Sequence, residues 1–263
     1  MQQSDSLRPP ELAGAWYPAL TRTLRADLSG YLQAPRKLPK APKALIAPHA
    51  GYVYSGAMAG SAYAELAPVR ATVRRVVLLG PAHRVGFDGI ASHSAQAFLT
   101  PLGSVPLAHQ ALGALADLGY VGYLDEAHVG ENSLELHIPF LQAALDDFEL
   151  LPLLVGRADP GQVAAVLDRL WAGDETLFVI SSDLSHYHDY DTARRLDGAT
   201  TRAIEGMSID LTGEQACGCM PINGLMYTAR RRKMTVQTLG CCNSGDTAGG
   251  RDQVVGYGSY ALY

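Results

Sequence analysis

Lys43-Ala44-Leu45-Ile46-Ala47-Pro48-His49-Ala50-Gly51-Tyr52 decides the fold. A short apolar run ends in a small, turn-forming cluster that carries a histidine, and a helical segment follows from about Ser55. The same order recurs downstream. Arg75–Leu79 runs into Gly80-Pro81-Ala82-His83, and Thr176–Ile180 runs into Ser181-Ser182-Asp183-Leu184-Ser185-His186. Leu150–Val155 leads to a helix over Asp159–Trp171, with Asp159 as N-cap and Pro160 at its first position. Strands alternating with helices of this length argue for βαβ units and a largely parallel or mixed central sheet with helices on both faces. The apolar runs are nearly continuous, as strands covered on both sides require.

Outside these units, residues 1–20 are too proline-rich for a helix and read as an arm packed on the domain. Further helices are expected over 21–34, 192–205 and 213–231, with a surface loop over 35–42. Two closing strands, Thr235–Leu239 and Val254–Leu262, flank a glycine-rich segment and can pair as an antiparallel edge. All 263 residues are read as one domain, a length that a single core can still fill.

Composition narrows the functional classes. Hydrophobic residues make up 48% of the chain and charged residues 18%, so a large core and a modest surface are expected. The net charge of −5 argues against nucleic acid as a bulk partner. The basic run Arg230–Lys233 reads as a solvated helix end, where cations meet the negative pole of the helix. No window approaches a membrane span, and the polar N-terminus lacks an apolar leader, so a cytoplasmic protein is expected. Four cysteines in two groups, Cys217/Cys219 and Cys241/Cys242, lack the spacing of a structural zinc site and read as buried thiol pairs.

Ligands of open α/β sheets bind beyond the carboxyl ends of the strands. Three of the chain's eight histidines, His49, His83 and His186, fall at such ends, with Asp183 beside the last. Neutral imidazole is a common metal ligand, and two histidines with a carboxylate leave open positions on a metal, as in non-haem Fe(II) oxygenases. Either Glu131 or Glu135 is a candidate to hydrogen-bond a ligand histidine, while Asn132 and Glu135 equally fit a capping box. His93, His109 and His128 have no supporting context and read as surface residues. The segment Ser244–Asp252 lacks phosphate-loop spacing and reads as a loop closing over the crevice, with Asp246 facing inward.

Several motifs together resemble the Memo family, whose bacterial and archaeal members are known as protein B of the AmmeMemoRadiSam system. They are Ala13-Gly14-Ala15-Trp16-Tyr17-Pro18, Pro48-His49-Ala50-Gly51-Tyr52, Gly80-Pro81-Ala82-His83, Asn132-Ser133-Leu134-Glu135, Ser181-Ser182-Asp183-Leu184-Ser185-His186 and Asn243-Ser244-Gly245-Asp246. The resemblance covers nearly the whole chain and implies a fold similar to class III extradiol dioxygenases. By that resemblance His49 and His83 are metal ligands, His186 is the acid/base and Asp183 lines the site. Animal relatives place a cysteine ligand in the last glycine-rich loop. Counting back from Tyr257 puts that position on Thr247, whose neighbour Asp246 is then the expected third ligand. Asn132 stands where many relatives have histidine.

The expectation is an Fe(II)-dependent oxidoreductase, with Zn or Cu as alternative metals. A small phenolic substrate or a peptide would lie against Trp16, Tyr52 and Tyr54. Zinc hydrolysis is a further reading of the same histidines. The rival is a non-catalytic scaffold that binds a peptide or metal and works with radical-SAM and AMMECR-type proteins.

Overall fold

The computed structural model describes residues 6–32, 35–36 and 38–263. The expectations for residues 1–5 and for the helix and loop positions 33, 34 and 37 lie outside the described residues.

The strands are β1 (Leu7–Arg8), β2 (Ala44–Ala47), β3 (Arg75–Pro81), β4 (Ile90–Ser92), β5 (Ala97–Thr100), β6 (Gly103–Pro106), β7 (Val121–Tyr123), β8 (Glu149–Val155), β9 (Thr176–Ser181), β10 (His186–His188), β11 (Val236–Asn243) and β12 (Val254–Leu262). The large sheet runs β10-β12-β2-β9-β3-β8-β4-β7, with β11 also paired to β12. Its centre, β2-β9-β3-β8, is parallel. The flanks introduce antiparallel pairs, β12 against β2, β11 and β10 on one side and β4 against β8 on the other, where β7 then pairs parallel with β4. The fold is therefore mixed α/β around a large mixed sheet, as the strand–helix alternation predicts.

Alternation along the strands explains why both faces are covered. Leu45, Val76, Leu78, Leu150 and Val179 enter one core, and Ile46, Val77, Leu79, Leu151 and Ile180 enter the other. Successive side chains of a strand point to opposite faces, so an uninterrupted apolar run feeds both. On the first face lie helices α1 (Thr21–Tyr31), α2 (Tyr52–Tyr63) and α5 (Ile138–Ala144). The second face takes α6 (Pro160–Leu170) and α8 (Cys219–Arg232). There a Cβ on Gly224 would lie 2.4 Å from the Val163 side chain, so only glycine admits this approach. Helix α6 starts as read, with a capping box between Asp159 and Gln162 and Pro160 in the first turn. The short α3 (His109–Gly113) and α4 (Asn132–Glu135) lie in the connections, and α7 (Tyr190–Glu205) follows β10.

Several boundaries differ from the sequence reading, three of them beside the His49 turn or the cysteines. Helix α2 begins at Tyr52 rather than Ser55, directly behind the His49 turn. Strand β11 extends to Asn243 and takes in Cys241 and Cys242. Helix α8 begins at Cys219, not Gly213, and residues 213–218 form turns. Pro221 sits in its first turn, where a missing N–H costs nothing.

The N-terminal arm is held by β1, which pairs with β5 in a three-stranded sheet, and by Glu135. The Glu135 carboxylate is buried and accepts from Arg8 Nη1 at 2.9 Å, the Leu12 N–H at 2.8 Å and the Tyr17 hydroxyl at 3.0 Å. The Trp16 carbonyl in turn accepts the first N–H of α2, from Tyr52, at 2.9 Å. No helix among the described residues is long and apolar enough to cross a membrane.

Candidate metal centre

His49, Asp183 and His83 each stand two residues beyond the end of a strand, after β2, β9 and β3 respectively. These strands are parallel neighbours in the order β2-β9-β3. Equal offsets on adjacent parallel strands bring the three side chains to one crevice at the carboxyl edge of the sheet, the usual ligand position in such sheets.

His83 donates from its backbone N–H to Glu131 Oε2 at 2.7 Å, and its ring Nδ1 lies 2.9 Å from Glu131 Oε1. Glu131 is buried, which works against its charge. Hydrogen bonds from His83 and the Ser133 N–H at 3.0 Å outweigh that cost and hold its carboxyl down at about 2. An ionised Glu131 can only accept, so His83 carries its proton on Nδ1 and leaves Nε2 open. A carboxylate behind a histidine in this way fixes the tautomer and raises the ligand's basicity.

His49 is buried, and burial, reinforced by the nearby His83, pushes its pKa down to about 3. Its ring lies 5.2 Å from that of His83. Asp183 accepts the His49 backbone N–H at 2.8 Å, and its other oxygen lies 3.9 Å from His49 Nε2. Burial lifts Asp183 to about 6, against the His49 N–H bond and the charge of His186 that favour the carboxylate. His186 thus sits near enough to act electrostatically on both Asp183 and His49.

The thiol that completes the group is Cys217. Its Sγ lies 3.4 Å from His49 Nε2, and one ligand atom each from His49, His83 and Cys217 falls within 4.8 Å of the others. Among the described residues this is the group able to hold a metal ion. The turn before α8 presses Cys217 there: the Cys217 N–H donates to Asp183 O, the Gly218 N–H donates to Ser182 Oγ, and a Cβ on Gly218 would lie 2.5 Å from Ser181 O. Burial, with the Asp183 charge beside it, pushes the thiol up to about 12. A bound cation reverses that balance, because a coordinating thiol is deprotonated.

Several expected roles fall elsewhere. Asp246 is exposed rather than inward. One oxygen accepts the Tyr190 hydroxyl at 2.5 Å, and the other accepts the Asn243 N–H at 3.0 Å in a local capping box. Thr247 is exposed and bonds to Ser244 O. Of the two glutamates, Glu131 backs a histidine and Glu135 anchors the arm. The capping box read at Asn132 is replaced by Glu131 as N-cap of α4. Tyr52 is buried among Tyr17, Tyr31 and Phe140 and bonds to Leu136 O, so it packs the core instead of facing a substrate. The cysteines are not buried pairs: Cys219 alone is fully buried, and Cys241 is exposed. His128 is buried too, and His93 and His109 are half-buried, so none of these three is a plain surface residue.

A cavity of about 410 Å³ is lined by Ala50 and Gly51, which follow His49 in the chain, and by Trp16, Tyr54, Val255 and Tyr257, with Ser244 and Gly249 supplying a wall from the glycine-rich loop. Neither this cavity nor a larger one of about 620 Å³ between α1, β6 and α5 is lined by a residue of the metal group, whereas a cavity of about 270 Å³ is lined by Cys217 with Pro81, Ala82 and Met220.

Burial of neutral histidines has a measurable cost in acid. Burial holds His49, His128 and His137 at about 3, against 6.5 for a free side chain. Below about pH 6.5 the unfolded chain takes up protons that the folded chain refuses, so stability falls as pH drops. Asp183, protonated when folded below about 6, works in the opposite direction. The net is about two protons, and metal-free protein is expected to lose roughly 3 kcal/mol per pH unit between pH 6 and 5. Urea unfolding at stepped pH measures the slope, and a flat profile would contradict the neutral, buried histidines.

The comparisons with known proteins agree with this layout. The family model described as Memo-like protein matches residues 8–261. A MEMO1 family protein of Archaeoglobus fulgidus is 33% identical over 264 residues, 95% of this chain and 97% of the relative. One from Methanosarcina barkeri is 31% identical over 95% of this chain and 98% of its own length. Protein MEMO1 of Mus musculus is 32% identical over 75% of this chain and 71% of the mouse protein. A match spanning nearly every described element, including the strand ends that carry His49, His83 and Asp183, shows that this chain belongs to the Memo family.

Proposed function

We propose that the chain is a mononuclear metal-dependent oxidoreductase that takes Fe(II) at His49, His83 and Cys217 and acts on a small phenolic ring. The carrying observation is the convergence, within 4.8 Å, of two imidazoles from the carboxyl ends of β2 and β3 and a thiol from the turn before α8. The donor set suits a first-row metal: Glu131 frees His83 Nε2, and Cys217 Sγ has only long contacts of 3.3–3.9 Å to compete with a cation. Two imidazoles and one thiolate leave coordination positions open, and an ion there supplies Lewis acidity and a place for dioxygen beside a substrate oxygen.

The chain's own groups supply the rest. Trp16, Tyr54 and Tyr257 form apolar walls against which a ring can orient. On this reading His186, half-buried and paired with Val255 of the cavity wall, moves a proton from a phenolic hydroxyl, and the Asp183 carboxylate steadies the imidazolium that results. His186→Gln is expected to keep the metal and lower turnover by about 10²–10⁴-fold. The assay is oxygen uptake with a panel of catechols after anaerobic Fe(II) loading. Normal turnover by the variant would remove His186 from the mechanism.

The open rim of the cavity, with Val53 and Tyr54 exposed by 60% and 40%, favours a second reading in which an aromatic peptide side chain docks there without turnover. Metal-loaded protein that consumes no oxygen with any catechol, yet binds aromatic peptides, would decide for that reading.

A further inference from the structure

Among the described residues no carboxylate stands behind the His49 ring as Glu131 stands behind His83. Its Nδ1 meets Ser181 Oγ at 2.6 Å, and Ser181 also touches a second buried histidine: His137 Nε2 lies 2.8 Å from the same oxygen. The far side of His137 is closed by the Tyr63 hydroxyl, 2.7 Å from Nδ1. Every member of this chain is at most 2% exposed, and the ligand set of the metal centre does not use Ser181, His137 or Tyr63.

The direction of each hydrogen bond follows from one carbonyl. Ser181 Oγ donates to the Ser133 backbone oxygen, which can only accept. A hydroxyl has one proton, so both imidazole nitrogens facing Ser181 must donate to it. His49 therefore carries its proton on Nδ1, and its Nε2 lone pair faces Cys217. His137 carries its proton on Nε2, and its Nδ1 accepts from Tyr63. The two buried histidines hold opposite tautomers, set by one serine. A wrong tautomer at His49 would place an N–H where a metal needs a lone pair.

We infer that Ser181, locked by the Ser133 carbonyl and backed by His137 and Tyr63, is the positioning residue that fixes His49 in its metal-binding tautomer. The inference about metal affinity rests on the site proposed above, whereas the tautomer itself does not. The two histidines thus differ in their support, with an anion behind His83 and a neutral hydroxyl behind His49. Second-sphere partners of this kind typically alter metal affinity by about 10–100-fold.

The test is long-range ¹H–¹⁵N correlation on metal-free protein labelled at histidine nitrogen, at neutral pH, paired with Zn²⁺ titration as the probe of affinity. Wild type is expected to show a bare Nε2 at His49 and a bare Nδ1 at His137. Ser181→Ala is expected to mix the His49 tautomers and weaken Zn²⁺ binding by about 10–100-fold. Ser181→Thr, which restores the hydroxyl, should recover both. A wild-type His49 protonated on Nε2 overturns the inference without any variant, as does a Ser181→Ala protein with tautomer and affinity unchanged. Wild type that shows the expected tautomers but binds no Zn²⁺ or Fe²⁺ would instead refute the metal site and leave the positioning chain standing.

Discussion

Glu135→Ala is expected to destabilise the protein by about 3–5 kcal/mol, the usual cost of stripping one partner from a buried ion pair. Arg8 and Glu135 are 6% and 2% exposed, so among the described residues the guanidinium left behind keeps its contacts to His128 O, Glu11 and the Phe98 ring. The same carboxylate also holds the Leu12 N–H and the Tyr17 hydroxyl, and both would lose a buried acceptor. For a chain of this size the loss corresponds to a fall in Tm of roughly 6–15 °C. The effect should reach the site, because the Trp16 carbonyl that caps α2 belongs to the released arm. Limited proteolysis should then cut within residues 9–20. Urea unfolding gives the energy, and a change below about 1 kcal/mol would mean that the arm is held by its other contacts.

Cys217→Ser is expected to weaken metal binding by roughly 10²-fold or more. Binding of a zinc ion by four protein ligands is worth about 10–16 kcal/mol, so one ligand accounts for roughly 3 kcal/mol. Serine keeps the shape, and the metal-free protein should melt at nearly the wild-type temperature. A second readout isolates the thiol. With its pKa pushed up to about 12 in the metal-free protein, Cys217 is protonated at pH 7 and must lose that proton on coordination. Calorimetric titration in buffers of different ionisation heat should show about one proton released per metal in wild type and none from this position in the variant. Equal proton release would exclude Cys217 as a ligand.

Much of this site could be read from the strand ends. His49, His83 and Asp183 each follow a β-branched or leucine-rich run and a turn-forming cluster, and strands of one parallel sheet deliver such positions to one edge. Cys217 was not legible in the same way because residues 213–231 read as one helix, which hides the turn that aims the thiol. Pro221 was the available signal: proline in a helix belongs to the first turn and puts the start near Cys219. The choice between Glu131 and Glu135 depends on which one the arm captures, and pairing over more than a hundred residues leaves no local trace. Asp246 looked inward because glycine-rich loops often close over sites. Its carboxylate is instead consumed by a local cap on the Asn243 N–H and by the hydroxyl of Tyr190, 56 residues away, which its position one residue before Thr247 does not reveal. Tyr52 shows the opposite error, an aromatic beside the histidine motif that turns back into the core because α2 starts at that residue.

X-ray absorption at the metal edge of the zinc-loaded protein tests the central claim most directly. If His49, His83 and Cys217 hold the ion, the spectrum requires one sulfur at about 2.3 Å together with nitrogen at about 2.0–2.1 Å, and Cys217→Ser removes the sulfur shell. A shell of nitrogen and oxygen alone, unchanged by that substitution, would contradict the account.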